Sequence, residues 1–107
     1  MAKTPEGIVK SRITKTLQEL GAWYFFPPSN GYGRAGIPDV IGILHGAPFA
    51  IEAKAKKNKP TALQLRELER IQAAGGLALV VNEENVEELK ATLETWVRNR
   101  WLPGVDE

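Results

Sequence analysis

The sequence of 107 residues contains no cysteine and only one histidine, His45. Without cysteine there can be no disulfide, cysteine-ligated zinc, iron–sulfur cluster or thiol catalysis. With one histidine, a multi-histidine metal site is also excluded. No apolar run approaches the ~18 residues needed to cross a bilayer, and the first residues, MAKTPEG, lack the apolar segment of a secretory signal. We therefore expect a cytoplasmic protein without a membrane partner.

The composition is that of an ordinary globular protein, with 43% hydrophobic and 25% charged residues, and we expect residues 1–107 to form one domain. The net charge of +1 is unevenly distributed. Residues 1–60 hold nine Lys/Arg and four Asp/Glu, whereas residues 61–107 hold five and nine. This division favours one face for a polyanion and another for solvent. Chance clustering in a short chain is the alternative.

Periodicity and capping residues predict the order α-β-β-β-α-β-α. Thr4, Pro5 and Gly21 bound the first helix, and Thr61 with Gln64 forms a capping box at the start of the second. We predict an α/β fold in which helices flank both faces of a small mixed sheet, with the last strand parallel to an earlier one. The predicted helices are 4–20, 61–74 and 84–98, the strands are 22–26, 39–44, 49–55 and 77–81, and the long loop is 27–38.

Three acidic residues occupy positions where packing alone would favour apolar side chains. Glu6 lies in the apolar stripe of the first helix, Asp39 begins an apolar strand, and Glu52 lies within another strand. Each has a purely structural alternative. Glu6 could interact with the helix dipole, Asp39 could cap the strand entry, and Glu52 could pair with Lys54 on a half-exposed face.

A four-residue turn at 45–48 would pair Leu44 with Phe49. That pairing places Asp39, Glu52 and Lys54 on one face of the hairpin, with the two acids as diagonal neighbours. Crowded carboxylates repel unless a cation lies between them, and oxygen ligands favour Mg²⁺ or Mn²⁺. Such a metal can polarise a phosphoryl oxygen and activate water, and Lys54 could orient that water.

Basic residues of the first half surround this predicted site and are suited to DNA phosphates. They are Lys10, Arg12 and Lys15 on the first helix, Arg34 in the long loop, and Lys56, Lys57 and Lys59 in the loop after the third strand.

Gly36-Ile37-Pro38-Asp39 followed by Ile51-Glu52-Ala53-Lys54 resembles the signature of the PD-(D/E)xK nuclease superfamily. With Glu6 on the first helix and Gln64 on the second, the pattern is similar to the VRR-NUC branch and covers roughly residues 4–82. The resemblance implies a restriction-endonuclease-like core. It also implies that Asp39, Glu52 and the Ala53 carbonyl bind the metal, with Glu6 acting directly or through water.

The same resemblance implies roles for Lys54, which would serve the attacking water, and for Gln64, which would hold Lys54. As a capping-box residue, Gln64 also has a structural explanation. The implied activity is that of an Mg²⁺- or Mn²⁺-dependent DNA endonuclease. Stand-alone domains of this type resemble phage proteins and Holliday-junction resolvases, so we expect a homodimer, in a bacterial or phage-infected host cell, that cuts branched or four-way-junction DNA. Trp96 and Trp101 near the end of the chain are candidate dimer contacts.

Two alternatives remain open. One is a nicking or replication-associated nuclease with little structure preference. The other is a catalytically inactive nucleic-acid-binding module with the same fold.

Overall fold

A computed structural model describes residues 4–28 and 34–100. The element order confirms the predicted α-β-β-β-α-β-α order, although a 3₁₀ turn, Val86–Glu88, precedes the last helix. Part of the long loop, residues 29–33, and Trp101 lie outside the described residues. The elements are α1 (Pro5–Leu20), β1 (Trp23–Phe25), β2 (Val40–Leu44), β3 (Ala47–Ala53), α2 (Ala62–Ala73), β4 (Leu77–Val81) and α3 (Leu89–Arg100).

The helix ends follow from the predicted caps. Thr4 Oγ1 accepts a hydrogen bond from the Gly7 N–H at 3.0 Å, and α1 ends at Gly21, which has a left-handed φ of 77°. The Thr61 capping box starts α2. Within residues 4–28 and 34–100, no helix has the length and apolar character needed to cross a membrane.

The four strands form one mixed sheet in the order β1-β2-β3-β4. The β1/β2 and β2/β3 pairs are antiparallel, and the β3/β4 pair is parallel. The structure therefore confirms the predicted mixed sheet and the parallel last strand.

The two sheet faces are covered differently. Side chains alternate between the faces along each strand, and the face that carries Val40 and Ile51 packs against α1 and α3. These helices supply Val9, Ile13, Leu17, Leu89 and Leu93 to the same core cluster. The opposite face carries the buried Ala50 and Ala78, and α2 covers it over β3 and β4.

The predicted hairpin register is wrong by two residues. Leu44 pairs with Ala47, not with Phe49, because the turn contains only His45 and Gly46. Both turn residues have positive φ, 49° and 80°, the pattern of a type I′ turn, whose twist matches that of the flanking strands.

A shift of two residues keeps every side chain on its predicted face. It also changes the neighbours of the acids. Since Val40 pairs with Ile51, the next position of the same register sets Asp39 opposite Glu52. The two acids are therefore direct cross-strand neighbours instead of the predicted diagonal ones.

Candidate active site

Asp39 lies immediately before β2, and its side chain is hydrogen-bonded to the backbone of β3. Its Oδ2 accepts a hydrogen bond from the Ala53 backbone N–H at 2.8 Å. This contact fixes the carboxylate beside the end of β3, and the other oxygen, Oδ1, faces Lys10 on α1. Asp39 thus caps the entry to the strand, as its structural alternative predicts, and it also lies close to Glu52.

Glu52 is buried in β3, with only 2% of the residue exposed. Its Oε2 lies 3.5 Å from Lys54 Nζ, whereas the buried Oε1 has no hydrogen-bond partner within the described chain. Burial raises the pKa of Glu52 from 4.5 to about 7. The negative charge of Asp39 adds to the rise, and Lys54 opposes it. An ionised Glu52 therefore needs more positive charge than Lys54 supplies.

Lys54 follows β3 directly and is held from two sides. Its backbone N–H donates to the Val81 carbonyl at 2.9 Å, and its side chain is 13% exposed. The ammonium group is therefore largely shielded from solvent and lies next to the buried carboxylate of Glu52.

Lys10 belongs to the acidic site in the structure, although the sequence predicts it only as a DNA contact. Its Nζ lies 3.4 Å from Asp39 Oδ1 and 3.9 Å from Glu6 Oε2. The spacing of four residues between Glu6 and Lys10 is the sequence feature that could have indicated this position, because such residues share a helix face.

The structure does not bring all the predicted site residues together. Asp39, Glu52 and Lys54 are neighbours, and Lys10 links Asp39 to Glu6. The side-chain oxygen of Gln64 instead accepts from the Thr61 N–H at 2.9 Å, which is its structural alternative. In residues 4–28 and 34–100, no three acidic or histidine side chains form a ready-made metal cluster.

The chemistry of the donors fits a divalent cation that keeps several waters. Asp39 and Glu52 supply carboxylate oxygens, and Glu52 Oε1 is a buried oxygen without a partner, which costs free energy unless a positive group satisfies it. Mg²⁺ and Mn²⁺ accept such oxygen donors, and Mg²⁺ is commonly held by one or two carboxylates with water completing the shell.

The predicted DNA-binding cations fall into two groups. Arg12 pairs with Glu87 at 3.6 Å, and Lys56 pairs with Glu84 at 3.2 Å. At these places the basic half of the chain meets the acidic half. Lys15, Lys57 and Lys59 are exposed and form no ion pair within the described ranges.

Arg34 joins the long loop to α2. One of its guanidinium nitrogens lies 3.2 Å from Oε1 of Glu67, whose side chain is only 6% exposed, and Arg70 approaches the other oxygen at 3.5 Å. Sequence reasoning missed Glu67, although its spacing of three from Gln64 and four from Ile71 places it on their inward stripe. Arg34 therefore anchors the loop that leads to Asp39.

Gly36 brings the same loop against α2. A Cβ atom at this position would lie 2.5 Å from the Leu63 carbonyl oxygen, and its φ is +87°. Only glycine adopts this conformation readily, which explains the glycine three residues before Asp39.

Comparisons with known proteins agree on one kind of relative. No family model matches the chain. The protein named "Putative nuclease p44" from Acyrthosiphon pisum secondary endosymbiont phage 1 is 29% identical over 87 residues, which cover 78% of this chain and 89% of that protein. A solved structure described as "VRR_NUC domain" is 30% identical, with a TM-score of 0.69, and the match covers 81% of this chain and 95% of that one.

A second solved structure, described as "VRR_NUC domain protein", is 15% identical with a TM-score of 0.63. The match covers 92% of this chain and 91% of that chain. At this identity the likeness concerns the fold alone.

Proposed function

The chain belongs to the VRR-NUC domain family, and from that premise we propose that it is a Mg²⁺- or Mn²⁺-dependent endonuclease that hydrolyses phosphodiester bonds of DNA. One observation carries the proposal. The buried Glu52 has an unpartnered oxygen beside a second carboxylate and a shielded lysine. Such an arrangement is costly in a folded protein unless a cation and a reaction make use of it.

Each residue of the site has a distinct task in this proposal. Asp39, Glu52 and the Ala53 carbonyl would hold the metal, with Glu6 supporting it directly or through water. A divalent ion held there would supply Lewis-acid polarisation of the phosphate and activation of water. Lys54, fixed between the strand backbone and Glu52, orients the attacking water and favours negative charge near it.

A cleavage assay tests the proposal. Labelled four-way junction, flap, nicked, single-stranded and linear duplex DNA would be incubated with Mg²⁺, Mn²⁺, Ca²⁺ or EDTA. We expect cutting with Mg²⁺ or Mn²⁺, none in EDTA, and a loss of about 100-fold or more in Asp39→Asn and Glu52→Gln, because both variants remove a ligand charge. Glu69→Gln, which changes an exposed acid of α2, is the matched control and should cut normally.

Undiminished cleavage in EDTA would contradict the metal mechanism. Binding of DNA without cleavage of any substrate would favour the inactive nucleic-acid-binding module. Equal cutting of nicked, duplex and junction DNA would favour a nuclease with little structure preference.

The preference for branched DNA and the homodimer belong together. A twofold dimer holds two active sites at a fixed separation, which suits cleavage of two strands of a junction. The sheet offers a surface for a second copy, since Trp23 and Ile43 are neighbours on the face that α2 leaves uncovered over β1 and β2, and they are 62% and 47% exposed. Trp96 is less suited than the sequence predicts, because its indole N–H donates to the Pro48 carbonyl at 3.0 Å.

Light scattering tests this assembly. We expect a mass of about twice the 11.8 kDa of one chain and a shift to the monomer mass in a Trp23→Ser/Ile43→Ser variant, because the apolar surface available for burial between the two copies is removed. Leu65→Ser changes an apolar residue of α2 with similar exposure, 46%, and should leave the dimer intact. A monomer mass for the unmodified protein at micromolar concentration would refute the dimer.

A further inference from the structure

Lys10 differs from Arg12 and Lys56, two other basic residues that the sequence assigns to DNA. Arg12 and Lys56 pair with carboxylates that are 83% and 61% exposed, at the protein surface. Lys10 instead reaches from α1 to Asp39, a residue of another element whose side chain is only 21% exposed. Its position therefore depends on the tertiary fold and not on the helix alone.

The geometry of Asp39 makes this contact consequential. Oδ2 is bonded to the Ala53 N–H at 2.8 Å, so Oδ1 is the oxygen that remains for a cation, and Oδ1 is the atom that Lys10 approaches at 3.4 Å. A divalent ion at Oδ1 would stand next to the Lys10 ammonium, and two positive charges at such a distance repel. Lys10 and the metal therefore compete for one oxygen.

Lys10 is able to leave. Its side chain is 37% exposed and flexible, and the ion pair with Glu6 is long, at 3.9 Å. With Glu6, Asp39 and Glu52 negative and Lys10 and Lys54 positive, the site has a net charge of −1, and a divalent ion makes it +1. A positive site attracts the phosphate of DNA, which offers the displaced ammonium a new partner.

We infer that Lys10 couples metal binding to DNA binding: it neutralises Asp39 until a divalent ion takes Oδ1, and it then binds a phosphate of the DNA. This inference rests on the proposed function, because it requires both a metal and DNA at this site. It adds a linkage between the two ligands. The factor by which the metal raises the affinity for DNA must equal the factor by which DNA raises the affinity for the metal.

Calorimetric titration of Mn²⁺ without DNA tests the competition. We expect Lys10→Gln to bind Mn²⁺ about 3- to 10-fold more tightly than the unmodified protein, because a competing cation is removed from a partly exposed site. Lys10→Arg keeps the charge and should restore the original affinity. Lys15→Gln removes the same charge from an exposed position on the same helix and should change the affinity less than about twofold.

Fluorescence anisotropy with duplex DNA tests the coupling. Ca²⁺ stands in for the catalytic ion, so that binding is measured without cleavage. The unmodified protein should gain DNA affinity when Ca²⁺ replaces EDTA. Lys10→Gln should gain several-fold less, and Lys15→Gln should show the same gain from a weaker starting affinity.

The outcomes separate this inference from the proposed function. If the unmodified protein binds Mn²⁺ and cuts DNA, but Lys10→Gln has unchanged or weaker Mn²⁺ affinity, the competition is wrong and the nuclease proposal stands. If the unmodified protein binds neither Mn²⁺ nor Ca²⁺, the proposed function fails and the coupling fails with it.

Discussion

Substitution of Glu52 by glutamine should stabilise the protein in the absence of divalent metal. The pKa of this buried carboxyl is raised from 4.5 to about 7, so the folded protein holds its proton more tightly than the unfolded chain does. Stability from this group is therefore fully present below pH 4.5 and is lost as the pH rises through 7. Each tenfold change in the proton affinity of the carboxyl corresponds to about 1.4 kcal/mol. The rise of the pKa from 4.5 to about 7 therefore lowers the free energy of unfolding at high pH by about 3 kcal/mol.

Urea denaturation in EDTA at pH 5 and pH 8 measures this loss. At pH 8, Glu52→Gln should be more stable than the unmodified protein by about 3 kcal/mol, because it keeps the shape without the charge. At pH 5 the difference should fall to about 1 kcal/mol, because Glu52 is mostly protonated in the folded protein while the unfolded chain has begun to ionise. Glu69→Gln, on an exposed position, corrects for the other groups that titrate and should show no comparable change.

Metal should remove most of this difference at pH 8. Mn²⁺ at a hundredfold excess over its Kd would stabilise the unmodified protein by about 2.7 kcal/mol, and Glu52→Gln should gain much less. A stability difference between the two proteins that is equal at pH 5 and pH 8 would refute the argument. Asp39→Asn is a less direct test, because Asp39 also accepts the Ala53 N–H and pairs with Lys10.

Two further predictions concern the surface and the loop before Asp39. Alanine at both Lys57 and Lys59 should weaken DNA binding and flatten its salt dependence by about 0.9 in slope for each phosphate that is no longer neutralised. Fluorescence anisotropy over a salt series measures this slope. Lys56→Ala should change the slope less, because Lys56 already pairs with Glu84. An unchanged slope in the double variant would mean that these lysines only face solvent. Gly36→Ala should lower the free energy of unfolding by about 1–3 kcal/mol and weaken Mn²⁺ binding, because the added Cβ meets the Leu63 carbonyl. Gly75 also has a positive φ, but nothing lies within 4 Å of a Cβ added there. Gly75→Ala should therefore leave Mn²⁺ binding unchanged. Equal Mn²⁺ affinities in the two variants would contradict this role for Gly36.

The elements were predictable because their signals are local. Thr4 and Gly21 bound α1 as expected, and Leu77–Val81 is the apolar strand that its composition indicates. The alternation of side chains placed Asp39, Glu52 and Lys54 on one face even though the hairpin register was wrong, since an error of two residues preserves the face.

Tertiary pairings were not predictable in the same way. The contact of Lys10 with Asp39 depends on how α1 lies across the end of β3, and no spacing within the sequence encodes that distance. The pairing of Arg34 with Glu67 likewise joins positions 33 residues apart. Gln64 shows the opposite case. The capping box is a local signal, and it correctly predicted the contact of Gln64 with Thr61. The family resemblance instead implies a role for Gln64 at Lys54.

The two-residue turn at His45 and Gly46 limits how this domain can change in length. If the loop kept its two-residue length, one residue inserted there would reverse the faces of all that follows in β3, and Glu52 would enter the apolar core beneath α1. Under the same condition, two inserted residues would keep the face but would slide Asp39 about 7 Å along its partner strand. An insertion is therefore tolerated only when it lengthens the loop and leaves the pairing of β2 with β3 unchanged, although the turn lies at the end of the hairpin remote from the acids.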